Sequence, residues 1–205
     1  MHTDKYLRLQ TRLNKLRKVY LPNSFSPTGT YSDSVYEKVR AYTVLSHAEM
    51  EYYFEEIALS IAEKAYKKWT QHQKASKPLL ALVAFYEGQY SSVPEAHDGN
   101  RSDETIDERI RKAYSSYNEQ VRVKNNGIKE ANILRVFLPI GVQITDLDEN
   151  LLIALNNFGR KRGTIAHSTK SSILTTPDDA LNTVNEIISL IDTFDTFLHQ
   201  FKKET

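Results

Sequence analysis

The chain has 205 residues and a formal net charge of +1, with 40% apolar and 26% charged residues. This composition is typical of one folded globular domain, and it excludes a disordered chain and a global basic field directed at nucleic acid or membranes. The chain contains no cysteine, which excludes disulfides, thiolate metal sites and a cysteine nucleophile.

The first residues and the apolar segments indicate where the protein works. The N-terminal sequence MHTDKYLRLQ lacks the apolar core of a signal peptide. The longest uninterrupted apolar stretch, residues 79–86, is far shorter than the roughly 20 residues that span a bilayer. We therefore expect a cytoplasmic protein with no membrane span.

Apolar residues recur at spacings of three and four along almost the whole chain, which predicts an all-α bundle of about six or seven helices. The first helix carries an apolar stripe and a basic face, which is either solvated or in contact with phosphates. A loop with two prolines and one glycine among serine, threonine and asparagine follows it. We therefore divide the chain into a basic helix and loop, residues 1–33, and a helical domain, residues 34–205.

Residues 34 to about 69 form one long helical pattern or two helices with a kink. Glu49 shares a helix face with Tyr42 and Tyr53, so its carboxylate lies at the edge of an apolar stripe. A carboxylate in such a place needs a hydrogen bond or a cationic partner unless it is exposed. Two interpretations stay open: an exposed edge position, and an ion pair with one of the arginines near residue 160.

The next part of the chain alternates predicted helices with loops. A short helix after Ser76 is apolar on all sides, which suits a core or a subunit interface. The polar loop that follows contains His97 and Asp98, but their spacing matches no metal-ligand pattern. Further helices are predicted over residues 103–124, before Pro139, after the N-cap Asp148, and from the N-cap Thr176 towards the C-terminus.

Residues 151–170 are the strongest candidate for chemistry. An apolar helical run there ends in three cations and a histidine, Arg160, Lys161, Arg162 and His167. Arginine offers a permanent charge in a fork that matches phosphate geometry, and histidine moves a proton near neutral pH. Together they suffice for attack of an RNA 2′-hydroxyl on its own phosphate, so we expect no metal and no cofactor.

The spacing of these residues is weak evidence when taken alone. Arg162 and His167 enclose four residues, and Arg160 and His167 enclose six. However, Arg40 and His47 also enclose six, so one such match is expected by chance in a chain with this many arginines and histidines.

Helical geometry adds a constraint on this pair. On a continuous helix, positions 160 and 167 share a face, whereas positions 162 and 167 lie about 140° apart. Arg162 and His167 of one chain can then meet one phosphate only if the helix breaks near Gly163. Otherwise two chains each contribute to the site.

Three blocks of the sequence resemble one family. The segment 155–168, with Arg162 and His167, resembles the Arg-x(4–6)-His signature of the HEPN superfamily of small helical ribonucleases. The segments 40–56 and 126–141 are similar to the RiboL-PSP/MAE type of HEPN domain, which is found near bacterial defence and toxin–antitoxin genes. Three separated blocks in the right order are much more specific than the Arg–His spacing.

The resemblance implies an up-and-down helical bundle that dimerises, with Arg and His of both protomers in one composite cleft. Active members cut RNA without metal and typically leave a 2′,3′-cyclic phosphate. On this chain, Arg162 would stabilise the phosphate and His167 would be the acid or base. Arg160 and Lys161 would add phosphate contacts, and Glu49 would give polar support. The implied role is a homodimeric toxin or antiviral effector with a cognate antitoxin or defence partner.

One position departs from the family pattern. Many active members carry Asn, Asp or His directly after the arginine, where this chain has Gly163. Thr164 and Asn157 are the candidates to supply the missing polar group. The departure keeps open a non-catalytic HEPN module that binds RNA or a protein partner through the same cleft. A third interpretation, which the apolar helix at residues 79–86 suits, is a purely structural dimerisation bundle in which Arg162 and His167 only cap a helix or pair with Glu49.

Overall fold

Seven α-helices account for most of the described chain. The structure is a computed structural model that describes residues 1–86, 105–167 and 175–205, and for residues 166 and 167 it describes the backbone alone. These ranges contain no strand, so the predicted all-α class is confirmed. The helices are α1 (Asp4–Tyr20), α2 (Asp33–His72), α3 (Lys77–Tyr86), α4 (Ile106–Glu119), α5 (Glu130–Phe137), α6 (Glu149–His167) and α7 (Pro177–Glu204).

Helix α2 is the central element of the bundle. It is one continuous helix of 40 residues, which is the first of the two alternatives left open by the sequence. At a rise of 1.5 Å per residue it is about 60 Å long, and each of the other six helices contacts it. Within the described ranges, no helix combines the length and apolar character needed to cross a membrane.

Helix α1 packs into the same core as the rest of the chain. Its apolar stripe is buried against α2 and α7 and belongs to the main hydrophobic cluster, through Tyr6, Leu9, Leu13 and Leu16. The loop after α1 adds the buried Leu21 to that cluster. Residues 1–33 therefore have no separate core in this structure, and the division at residues 33 and 34 stays a division of the sequence.

The connection between α4 and α5 is fixed to α2 by hydrogen bonds. After a π-helical turn at the end of α4, Asn125 donates to Glu55 over 2.8 Å and accepts from Asn132 over 3.1 Å. The backbone N–H of Gly127 donates to Glu51, and the φ angle of 122° at Gly127 favours glycine. This network holds the start of α5 against the middle of α2.

The helix caps predicted from the sequence are present in α6 and α7. The Asp148 carboxylate accepts from the N–H of Asn150 over 2.7 Å, and the Thr176 hydroxyl accepts from the N–H of Asp179 over 3.2 Å. The polar loop with His97 and Asp98 lies outside the described residues.

A buried carboxylate joins the two ends of the chain. Asp195 on α7 is fully buried and accepts from the N–H and hydroxyl of Thr3 over 2.8 and 2.5 Å. It also accepts from the hydroxyl of Tyr53 over 2.8 Å. Burial raises the pKa of Tyr53 well above its ordinary value, and Asp195 raises it further, so this hydroxyl remains a donor. Three helices, α1, α2 and α7, thus meet at one carboxylate.

We predict that Asp195→Asn destabilises the protein by about 2 to 3 kcal/mol. The amide keeps one oxygen that can accept, but its NH₂ group replaces the other oxygen and cannot accept from the buried donors. Chemical denaturation monitored by circular dichroism measures the loss. The matched control is Asp192→Asn, since Asp192 lies on the same helix but is 46% exposed; its loss should stay below about 1 kcal/mol. Equal losses in the two variants would contradict the prediction.

Candidate functional site

Helix α6 carries the predicted catalytic pair on one continuous backbone. The helix runs from Glu149 to His167 without a break at Gly163, so the first way of bringing Arg162 and His167 of one chain together does not occur. Positions 162 and 167 therefore point about 140° apart around the helix. The His167 side chain lies outside the described residues, and a contribution from two chains stays a prediction.

One face of α6 packs against α2. The ring of Phe158 lies 6.0 Å from the ring of His47 on α2, centroid to centroid. Seven residues further along α6, the carbonyl of Ile165 accepts from Nη2 of Arg40 over 3.1 Å. Positions 158, 162 and 165 share a helix face. Arg162 therefore lies along α6 between the Phe158 and Ile165 contacts, at the edge of the face that packs against α2.

The other two cations of the motif face different directions. Lys161 and Asn157 line a groove with residues of α7. Burial lowers the pKa of Lys161, and Asp179 opposes this shift. Arg160 is exposed and lies about 200° around the helix from position 162, on the face of position 167. The three cations of one α6 therefore lie on different sides of the helix: Arg162 beside α2, Lys161 beside α7, and Arg160 on the exposed face.

The other predicted support residues are engaged elsewhere. The Thr164 hydroxyl donates to the carbonyl of Arg160 within α6 over 3.2 Å. Glu49 accepts from Nε and Nη2 of Arg12 on α1 over 2.9 and 2.6 Å. The pairing of Glu49 with an arginine near residue 160 is therefore wrong. The prediction failed because Glu49 lies about 200° around α2 from His47, so Glu49 faces α1 and not α6.

Two residues of α2 at this contact were missed by the sequence analysis. Arg40 and His47 form the second Arg–His match, which we treated as a chance occurrence. Their spacing of seven places both on one face of α2, opposite the same spacing from Phe158 to Ile165 on α6. The matching seven-residue spacings on α2 and α6 are the signal that could have identified Arg40 and His47.

The imidazole of His47 is buried and lies between charges of both signs. Only 3% of the residue is exposed, and Nδ1 lies 3.7 Å from a carboxylate oxygen of Glu51. Burial lowers the pKa of His47 to about 4, and the charges of Arg162 and Lys129 lower it further. His47 is therefore neutral at pH 7, and its protonation would place a third positive charge beside these two cations.

The glycine that departs from the family pattern has no packing role. A Cβ at Gly163 would meet no atom within 4 Å, and the residue lies in regular helix. The space beside position 163 would therefore admit a polar side chain. In the described part of the chain, no group of three His, Asp or Glu side chains is arranged to hold a metal ion.

We predict that the His47→Gln variant loses part of the acid sensitivity of the wild type. Between pH 6.5 and 4 the unfolded state binds a proton at His47 and the folded state does not, so wild-type stability falls as the pH falls through this range. From pH 7 to pH 5 the wild type should lose about 2 kcal/mol more unfolding free energy than the variant. Urea denaturation at both pH values measures this, and a pH-independent difference would contradict it.

Comparisons with known proteins identify a family. The model of the RiboL-PSP-HEPN family matches residues 7–200, a range that includes most of α1, the α2–α6 contact and most of α7. Comparisons with curated proteins and with solved structures give no match. The family match covers nearly the whole chain, and its helical architecture agrees with the seven helices described here. The chain belongs to the RiboL-PSP-HEPN family.

Proposed function

We propose that this protein is a metal-independent endoribonuclease that acts as a homodimer. HEPN domains are often ribonucleases, and family membership covers residues 7–200. The observation that carries the proposal is the exposed guanidinium of Arg162 on a helix that continues to His167. These two residue types suffice for cleavage through the RNA 2′-hydroxyl.

The proposed reaction divides the work between the two side chains. The 2′-oxygen forms a bond to phosphorus while the bond from phosphorus to the 5′-oxygen breaks. His167 of one chain, as a neutral base, takes the proton of the 2′-hydroxyl, and a water molecule gives a proton to the 5′-oxygen. The imidazolium then returns its proton to the hydroxide left by that water. Arg162 stabilises the charge that builds on the phosphate oxygens. The products are a 2′,3′-cyclic phosphate and a 5′-hydroxyl.

The continuous helix supports a composite site. Positions 162 and 167 of one α6 point in different directions, so a second copy of α6 is needed to bring an arginine and a histidine to one phosphate.

The remaining roles follow from the same proposal. Exposed Arg160 adds charge for the RNA backbone. Lys161 and Asn157 lie at the α6–α7 groove, so they support the site from its edge. In the cell the protein acts in the cytoplasm as a toxin or antiviral effector, and an antitoxin or defence-system protein restrains it.

A non-catalytic module that binds RNA or a protein partner is the second candidate. Gly163 favours it, because the polar side chain found after the arginine in many active members is absent although the space beside position 163 is open. In that case the arginines of α6 bind a ligand that is not cleaved.

We predict that the wild-type protein cleaves a mixed RNA pool in the presence of EDTA and leaves cyclic-phosphate ends, and that His167→Ala is at least about 100-fold slower because the acid–base group is lost. Gel analysis with end-group chemistry measures both. Arg162→Ala should lose more activity than Arg160→Ala, which serves as the matched control on the opposite face of α6.

Three outcomes distinguish the candidates. RNA binding without cleavage by the wild type would contradict the nuclease and favour the binding module. Equal cleavage by wild type and His167→Ala would place the activity outside α6 or in a contaminant. Cleavage that EDTA abolishes would contradict a metal-independent reaction.

A further inference from the structure

A lysine from the α4–α5 connection lies across α6. Lys129 is the N-cap residue of α5. A Cβ built at Gly159 of α6 would lie 2.9 Å from Cγ of Lys129 and 3.5 Å from its Cε. The aliphatic part of Lys129 therefore rests on the backbone of Gly159, and a larger residue at position 159 would force this side chain to move.

The segment that carries Lys129 is held firmly. The turn before it is bound to α2 through Gly127 and Glu51, and the start of α5 is bound to α6 because the N–H of Glu130 donates to Asn156 over 3.0 Å. Asn156 also donates to the Glu130 carboxylate over 3.2 Å. The backbone of Lys129 is thus fixed on both sides, and this directs its side chain over Gly159.

Arg162 lies about one helical turn from Gly159, over which the Lys129 side chain lies. The charges of Lys129 and Arg162 both act on the imidazole of His47, so both lie on the side of α6 that faces α2. Neither forms an ion pair with a described carboxylate. The carboxylates of Glu51 and Glu130 instead accept hydrogen bonds from the Gly127 N–H and the Asn156 amide. Two cations that form no ion pair within the described residues suit an anion from outside the protein.

We propose that Lys129 and Arg162 form a two-cation binding site for the RNA phosphodiester backbone. Arg162 holds the phosphate that reacts through its fork, and Lys129 binds a neighbouring phosphate as a point charge. Gly159 is a positioning residue for Lys129, because only a residue without a side chain leaves room for the lysine stem. The inference rests on the proposed function, since it names the second group that holds its substrate.

The test measures binding and cleavage separately. The probe is a fluorescent single-stranded 2′-O-methyl RNA, which has no free 2′-hydroxyl and is not cut by the proposed reaction. Binding is measured over a series of salt concentrations for wild type, Lys129→Gln and Lys74→Gln. Lys74 is an exposed lysine between α2 and α3, so Lys74→Gln is the matched control for loss of one charge far from α6.

Lys129→Gln should bind the probe about tenfold more weakly and lower the slope of log affinity against log salt by about 1, as expected for one lost phosphate contact. Lys74→Gln should behave as the wild type. Gly159→Ala keeps every charge but displaces the lysine, so it should also weaken binding. Because Lys129 is exposed, Lys129→Gln should weaken binding without changing the melting temperature.

The inference would be overturned if Lys129→Gln bound the probe with the affinity and salt slope of the wild type. Equal binding defects in Lys129→Gln and Lys74→Gln would also overturn it. Absence of probe binding by the wild type would overturn it as well. If the wild type binds the probe but does not cleave unmodified RNA, the nuclease proposal fails. In that case the Lys129→Gln comparison still decides whether this site binds the RNA backbone.

Discussion

The continuous α2 helix is the constraint on which the rest of the structure depends. Each face of α2 is occupied by a different neighbour, and a shift of one residue along α2 turns a side chain by about 100°. Glu49 consequently pairs with α1, His47 contacts α6, and Glu51 binds the turn before α5. The place of every candidate site residue on α6 follows from which face of α2 that helix occupies.

Buried polar groups make this arrangement specific. Apolar residues could bury their surface in several helix orders, but Asp195 accepts hydrogen bonds from Thr3 and Tyr53 only when α1, α2 and α7 meet at one point. The half-buried carboxylates of Glu51 and Glu55 do the same for the α4–α5 connection. A buried donor or acceptor left without a partner is costly, so these contacts favour one helix order over the others.

Local features of the fold could be predicted from the sequence, because they depend on residues close together in the chain. The all-α class, the caps at Asp148 and Thr176 and the inward positions of the helices are of this kind. The partner of Glu49 could not be predicted, since it depends on which helix packs on which face of α2. His47 was overlooked for the same reason, because its role appears only when α6 lies opposite.

The continuity of α6 shows how packing decides between open alternatives. Glycine within a helix costs about 1 kcal/mol relative to alanine, and this cost made a break near Gly163 a reasonable alternative. Leu155 and Phe158 are buried on α6, and the carbonyl of Ile165 is bound by Arg40, so the helix is held before and after the glycine. The proposed site that uses both Arg162 and His167 therefore takes them from two chains.

The most direct test of a composite site is complementation between two inactive variants. Arg162→Ala and His167→Ala proteins are purified separately, mixed under conditions that allow subunit exchange, and assayed for RNA cleavage with EDTA present. In a mixed dimer, one site receives the intact arginine of one chain and the intact histidine of the other, so cleavage should recover to about a quarter of the wild-type rate. A mixture that stays inactive, although wild-type protein treated in the same way remains active, would contradict a site built from two chains.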